Sequence, residues 1–67
     1  MYIVLELQTN GDKTSSIVTS YKDENIAHQA FYTALASASV SSVPVHAVVL
    51  LNEIGIMEKR EFYDRRS

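Results

Sequence analysis

From Asp23 to Val40 the apolar residues Ile26, Ala27, Ala30, Phe31, Ala34, Leu35 and Ala38 recur at spacings of three and four, the period of a helix that buries one face. The other face carries Glu24, Asn25, His28, Gln29, Tyr32 and Ser37. Outside this segment the pattern is that of strands. Tyr2 to Gln8 alternates, with Ile3, Leu5 and Leu7 on one side and Tyr2, Val4, Glu6 and Gln8 on the other, as a pleated strand does. Asn10-Gly11 follows, a short hairpin signal. Thr14 to Lys22 reads as the returning strand, in which only Ile17, Val18 and Tyr21 are large and apolar. The loop length is open between two and three residues, and one residue of slip exchanges Ile17 for Val18 on the core side.

Asp23 is placed to cap the helix, its carboxylate accepting from free N–H groups of the first turn, and Glu24 adds negative charge at the positive end of the helix dipole. Towards its end the helix becomes Ala36-Ser37-Ala38-Ser39, small side chains that let the backbone approach its neighbour. Pro44 disfavours further helix and is acceptable where a strand begins. Val45 to Leu51 is the most apolar run, of strand length and rich in β-branched residues. It ends at the turn Asn52-Glu53-Ile54-Gly55. A last strand, Ile56 to Tyr63, alternates only loosely, and residues 64–67 are expected to fray.

The element order is ββαββ. The first and third strands are apolar on both sides, while the second and fourth carry hydroxyls and charges as edge strands do. The predicted fold is therefore α+β: a four-stranded antiparallel sheet in the order 2-1-3-4 with one helix on one face. Residues 1–67 form a single domain, with no repeat or linker.

One helix covers one face of such a sheet. If Ile3, Leu5, Leu7, Val45, Ala47, Val49 and Leu51 face the helix, then Tyr2, Val4, His46, Val48, Leu50 and Met57 face away and form an apolar patch of the kind that marks a partner surface. A two-fold dimer through that patch is the simplest outcome. A chain of this length buries only about 60% of its unfolded surface, so self-association would also support a small core. Sheet-edge pairing and helix contact through Tyr32, Thr33, Ala36 and Ser37 are other routes to a dimer.

Composition narrows the chemistry. There is no cysteine, which excludes disulfides and thiolate zinc sites and suits a reducing cytoplasm. No signal peptide or membrane-length apolar run is visible, so a cytoplasmic location is expected. His28 and His46 have no metal-site spacing, the serines lack a recognisable base, and the two glycines each fall in a turn rather than a phosphate loop. Small tautomerase-like enzymes carry a proline after the initiator Met, where this chain has Tyr2. No catalytic residue, metal or cofactor is expected. His46 facing Glu61 across the second hairpin would make at most a pH-sensitive contact.

The net charge is −2, yet Lys59, Arg60, Arg65 and Arg66 cluster at the C-terminal end. With Tyr2, Tyr63 and Tyr21 on an open sheet face they would make a weak nucleic-acid binder, the alternative reading. Glu58, Glu61 and Asp64 interrupt the basic group, and the aliphatic character of the face argues against it.

Val4-Leu5-Glu6-Leu7-Gln8, Ile17-Val18 with Tyr21, Ser41-Ser42-Val43-Pro44-Val45-His46, and Leu51-Asn52-Glu53 with Gly55 resemble small uncharacterised proteins encoded by bacteriophages and prophages. The resemblance covers most of the chain. It implies a bacterial or phage origin and cytoplasmic expression, and it carries over no functional residue. The expected function is thus a small non-enzymatic interaction module that forms a homodimer.

Overall fold

The computed structural model describes residues 1–66 and has the elements β1 (Tyr2–Asn10), β2 (Lys13–Tyr21), α1 (Glu24–Ser39), β3 (Val45–Asn52) and β4 (Met57–Asp64). The sheet is antiparallel throughout, in the order β2-β1-β3-β4. The two most apolar strands therefore lie in the centre, paired from Tyr2↔Asn52 to Thr9↔Val45. Ser67 lies outside the described residues.

The first hairpin pairs Asn10 with Lys13, so Gly11 and Asp12 alone form the loop. Gly11 has a φ of 69°, and no non-glycine residue described has a positive φ. A two-residue loop with positive φ only at its first position fits a type II′ turn. The predicted turn is there, one residue later than Asn-Gly at both centres would place it. This register puts Val18 beside Leu5 and Ile17 beside Glu6, on opposite sides of the sheet.

The helix begins as the sequence predicts. Asp23 Oδ1 accepts from the backbone N–H of Asn25 at 2.7 Å and of Ile26 at 3.2 Å. Ala27, Phe31 and Ala38 are buried along one face. Ala38, with no exposed surface, is where the small side chains bring the helix close to the sheet.

At its other end the helix is held by a residue from the far end of the chain. The Arg65 guanidinium donates to Ala38 O at 2.6 Å and Val43 O at 3.1 Å, and its backbone N–H donates to Pro44 O at 2.7 Å. A cation at the last carbonyls of a helix satisfies orphan acceptors and complements the dipole. Where the sequence predicts fraying, Asp64 thus closes β4 and Arg65 is tied to the helix.

The second hairpin turns through Gly55, with a φ of 87°, and Asn52 Oδ1 accepts from Ile54 N and Ile56 N. A β-bulge follows: Leu50 pairs with Lys59 but Leu51 pairs with Met57, which leaves Glu58 as the extra residue. The bulge also sets the register beyond it. His46 faces Tyr63, and Glu61 faces Val48, so the predicted His46–Glu61 pairing does not form.

Candidate functional site

Residues directly opposite one another in a sheet share a side, and neighbours along a strand alternate. The buried cluster contains Val4, Val48 and Leu50 together with Ala27, Phe31 and Ala38 of the helix, and Tyr2 and Tyr21 pack against it. The helix therefore covers the stripe Tyr2-Val4-Glu6-Gln8 of β1 and His46-Val48-Leu50-Asn52 of β3. This inverts the face assignment drawn from the sequence. Of the residues predicted to face away, Tyr2, Val4, His46, Val48 and Leu50 lie under the helix, and only Met57, paired with Leu51, belongs to the open side.

The open side is built from Ile3, Leu5 and Leu7 of β1 and Val45, Ala47, Val49 and Leu51 of β3, flanked by Val18 of β2 and Phe62 of β4. Val18 and Phe62 are more than half exposed. Val49, at the centre, is 7% exposed although no other element covers it, because its own neighbours crowd around it. The Cα framework measures 36 × 20 × 15 Å, and its short dimension accommodates one sheet and one helix. Among the strand residues described, charge on this side lies on Arg60 and Asp64 of the edge strand β4, Asp64 being paired with Arg66. The central strands contribute none, apart from which the polar groups are hydroxyls such as Thr9 and Thr14, linked at 2.8 Å. An apolar centre with a polar margin is the anatomy of a protein interface.

The basic residues of the alternative reading do not converge. Lys59 Nζ lies 5.8 Å from the Tyr32 ring centre on the helix side, whereas Arg60 lies 5.8 Å from the Phe62 ring on the open side. Arg65 is engaged with the helix end and also lies 5.2 Å from the Tyr63 ring. Arg66 pairs with Asp64 at 2.9 Å. That pair holds the Asp64 carboxyl down to about 2, chiefly through the hydrogen bond from the Arg66 side chain, and raises Arg66 in turn. Tyr2, Tyr21 and Tyr63 all share the helix side, so among the described residues the open face carries none of these rings.

Two polar features lie on the helix side. His46 is 4% exposed, neither ring nitrogen has a hydrogen-bond partner within the protein, and Nε2 is 3.6 Å from Glu6 Oε2. Nearer the start of the helix, one ligand atom each from Glu24, His28 and Glu58 lies within 4.8 Å of the others. The Tyr2 hydroxyl donates to Glu24 Oε2 at 3.1 Å. A depression of about 430 Å³ adjoins this group, lined by Met1, Tyr2, Asn52, Glu53, Ile54 and Glu58. Spacing along the sequence did not disclose either feature, since each joins residues from elements distant in the chain.

No family model, curated protein or solved structure matches the chain. The resemblance to bacteriophage proteins gains no support from these comparisons. Among the described residues, no helix is long and apolar enough to cross a membrane.

Proposed function

We propose that this chain is a non-enzymatic protein-interaction module that pairs with a second copy of itself through the open face of its sheet. The observation that carries this reading is which stripe the helix leaves uncovered. The covered stripe includes Glu6, Gln8, His46 and Asn52, while the uncovered one runs Ile3-Leu5-Leu7 and Val45-Ala47-Val49-Leu51 without a charge. A chain folding only to bury its own apolar surface would favour the reverse arrangement, because burial stabilises roughly in proportion to apolar area.

A second copy suits the face in size and charge. Four strands about 4.8 Å apart and about 26 Å long span roughly 500 Å² in plane. Two such faces together approach the roughly 1,000 Å² at which specific interfaces begin. Charge stays at one edge, on Arg60 and the Asp64–Arg66 pair, which leaves the centre of a two-fold contact apolar.

The test is solution mass by light scattering over a dilution series, with wild type beside Leu5→Lys and Val18→Lys. The wild type is expected at twice the monomer mass, and both variants at monomer mass with an unchanged circular dichroism spectrum. A folded wild type that stays monomeric at every concentration overturns the proposal. So does a dimer unaffected by both substitutions.

A further inference from the structure

We propose that Glu24, His28 and Glu58 form a binding site for a divalent transition-metal ion, with Zn²⁺ the best match to their donor atoms. Glu24 and His28 are four residues apart on α1, which stacks them one turn above the other on the same side of the helix. Glu58 comes from β4, and it is there because of the bulge. Alternation alone would send neighbours Glu58 and Lys59 to opposite sides of the sheet, yet Lys59 lies over Tyr32 of the helix and Glu58 reaches the Glu24–His28 pair. Bulges commonly re-aim a side chain in this way beside functional sites.

The hydrogen bonding leaves one histidine nitrogen free to ligate. His28 Nδ1 is 2.8 Å from Glu24 O, and a carbonyl only accepts, so Nδ1 carries the proton and Nε2 of the neutral ring keeps its lone pair. A histidine that donates through one nitrogen to a backbone carbonyl and ligates through the other is the usual arrangement at a metal. The Tyr2 hydroxyl, bonded to Glu24 Oε2, orients that carboxylate as an outer partner would. The local field is negative, with the carboxylates of Glu24, Glu58 and Glu53 all bearing on the Tyr2 hydroxyl. The positive end of the helix dipole works against a cation near the first turn, so affinity rests on the two carboxylates.

Ligands around zinc, at about 2.0–2.1 Å from the ion, stand roughly 3.3 Å apart. The 4.8 Å limit on the present separations closes to that by rotation of glutamate side chains that are exposed. Three protein ligands leave a fourth position for water, on a group bordered by the depression at Tyr2 and Glu53.

The experiment is calorimetric titration of untagged full-length protein with ZnCl₂ at pH 7.5, followed in parallel by the His28 ring signals in NMR spectra. Saturable binding of one equivalent is expected, with the His28 signals shifting. His28→Ala is expected to abolish binding, Glu58→Gln to weaken it at least about tenfold, and Glu61→Gln, outside the cluster, to leave it unchanged. Tyr2→Phe is expected to cost about tenfold, as loss of an outer partner does. Absence of saturable binding at millimolar zinc overturns the proposal, as does equal affinity in wild type and both cluster variants. His28 ring signals that do not move on addition of zinc also overturn it.

Discussion

Truncating Leu50 and Leu5 separately tests the face assignment on which the proposed function depends. Leu50 has no exposed surface and packs in the cluster with Val4, Val48 and Phe31. Leu50→Ala removes its contacts and leaves a cavity, a change that costs about 2–5 kcal/mol. A chain of 67 residues has roughly 3–10 kcal/mol of stability in total, so this one substitution removes a large fraction of it. With a urea dependence of about 1 kcal/mol per M, at the low end for small proteins, the unfolding midpoint falls by roughly 2 M or more. Leu5, half-buried on the open side, has fewer neighbours to lose, and Leu5→Ala is expected to cost about 1 kcal/mol at low micromolar protein. The two variants also respond differently to protein concentration. The cost of Leu5→Ala grows because the dimer it weakens becomes populated in wild type, whereas that of Leu50→Ala stays constant. Urea titrations followed by circular dichroism at two protein concentrations measure both. A dilute-solution cost for Leu5→Ala equal to or above that for Leu50→Ala would mean that the helix does not cover the Val4–Leu50 stripe.

Asp23→Ala removes the acceptor for two first-turn N–H groups and is expected to cost about 1 kcal/mol in chemical denaturation. Arg65→Ala removes the guanidinium donor from the carbonyls of Ala38, which keeps its bond from Ser41 N–H, and Val43, and is expected to cost about 1–2 kcal/mol. Arg65→Lys should recover only part of this, because an ammonium lacks the planar fork that reaches both oxygens. An unchanged thermal midpoint in Arg65→Ala would show that the helix end needs no such partner. For Asp64, whose carboxyl is lowered from 3.8 to about 2 by Arg66, the folded value lies below the unfolded one. The pair's contribution is therefore fully present above the unfolded value and is lost as pH falls through about 2. A carboxyl NMR titration should place Asp64 near 2 in wild type and only part of the way back to its ordinary value in Arg66→Ala, which keeps the bond from the backbone N–H of residue 66; the same midpoint in both proteins would remove the Arg66 side chain as the cause. Exposure keeps the effect on overall stability small.

Much of the fold was legible because independent signals agreed. The apolar spacing of Ala27, Phe31 and Ala38, the Asp23 cap and the Pro44 strand start all point to one helix between two hairpins, and the polarity of β2 and β4 places them at the edges. The face under the helix was not legible. Both central strands are apolar on either side, so alternation distinguishes two stripes without saying which is covered, and the more apolar stripe was the natural choice for the helix. The structure covers the other one, with Glu6 and His46 beneath the helix. The roles of the basic residues were hidden for a related reason: Lys59 and Arg60 are adjacent in sequence, and a strand sends adjacent residues to opposite sides. Glu58 could be assigned to neither side without the bulge, which Gly55 and loose alternation do not announce.

The pairing of β1 with β3 joins positions more than half the chain apart, such as Val4 with Leu50, while each of those strands also belongs to a hairpin closed by a short turn. The two hairpins are local and form in about 1–10 μs. Their union must bring distant segments together before any central contact repays the lost chain freedom. The route to the native state is thus divided at the middle of the sheet, with the helix as the tether that sets how often the halves meet. A substitution that weakens the helix should slow folding as well as lower stability, whereas one confined to a turn tip should act chiefly within its own hairpin.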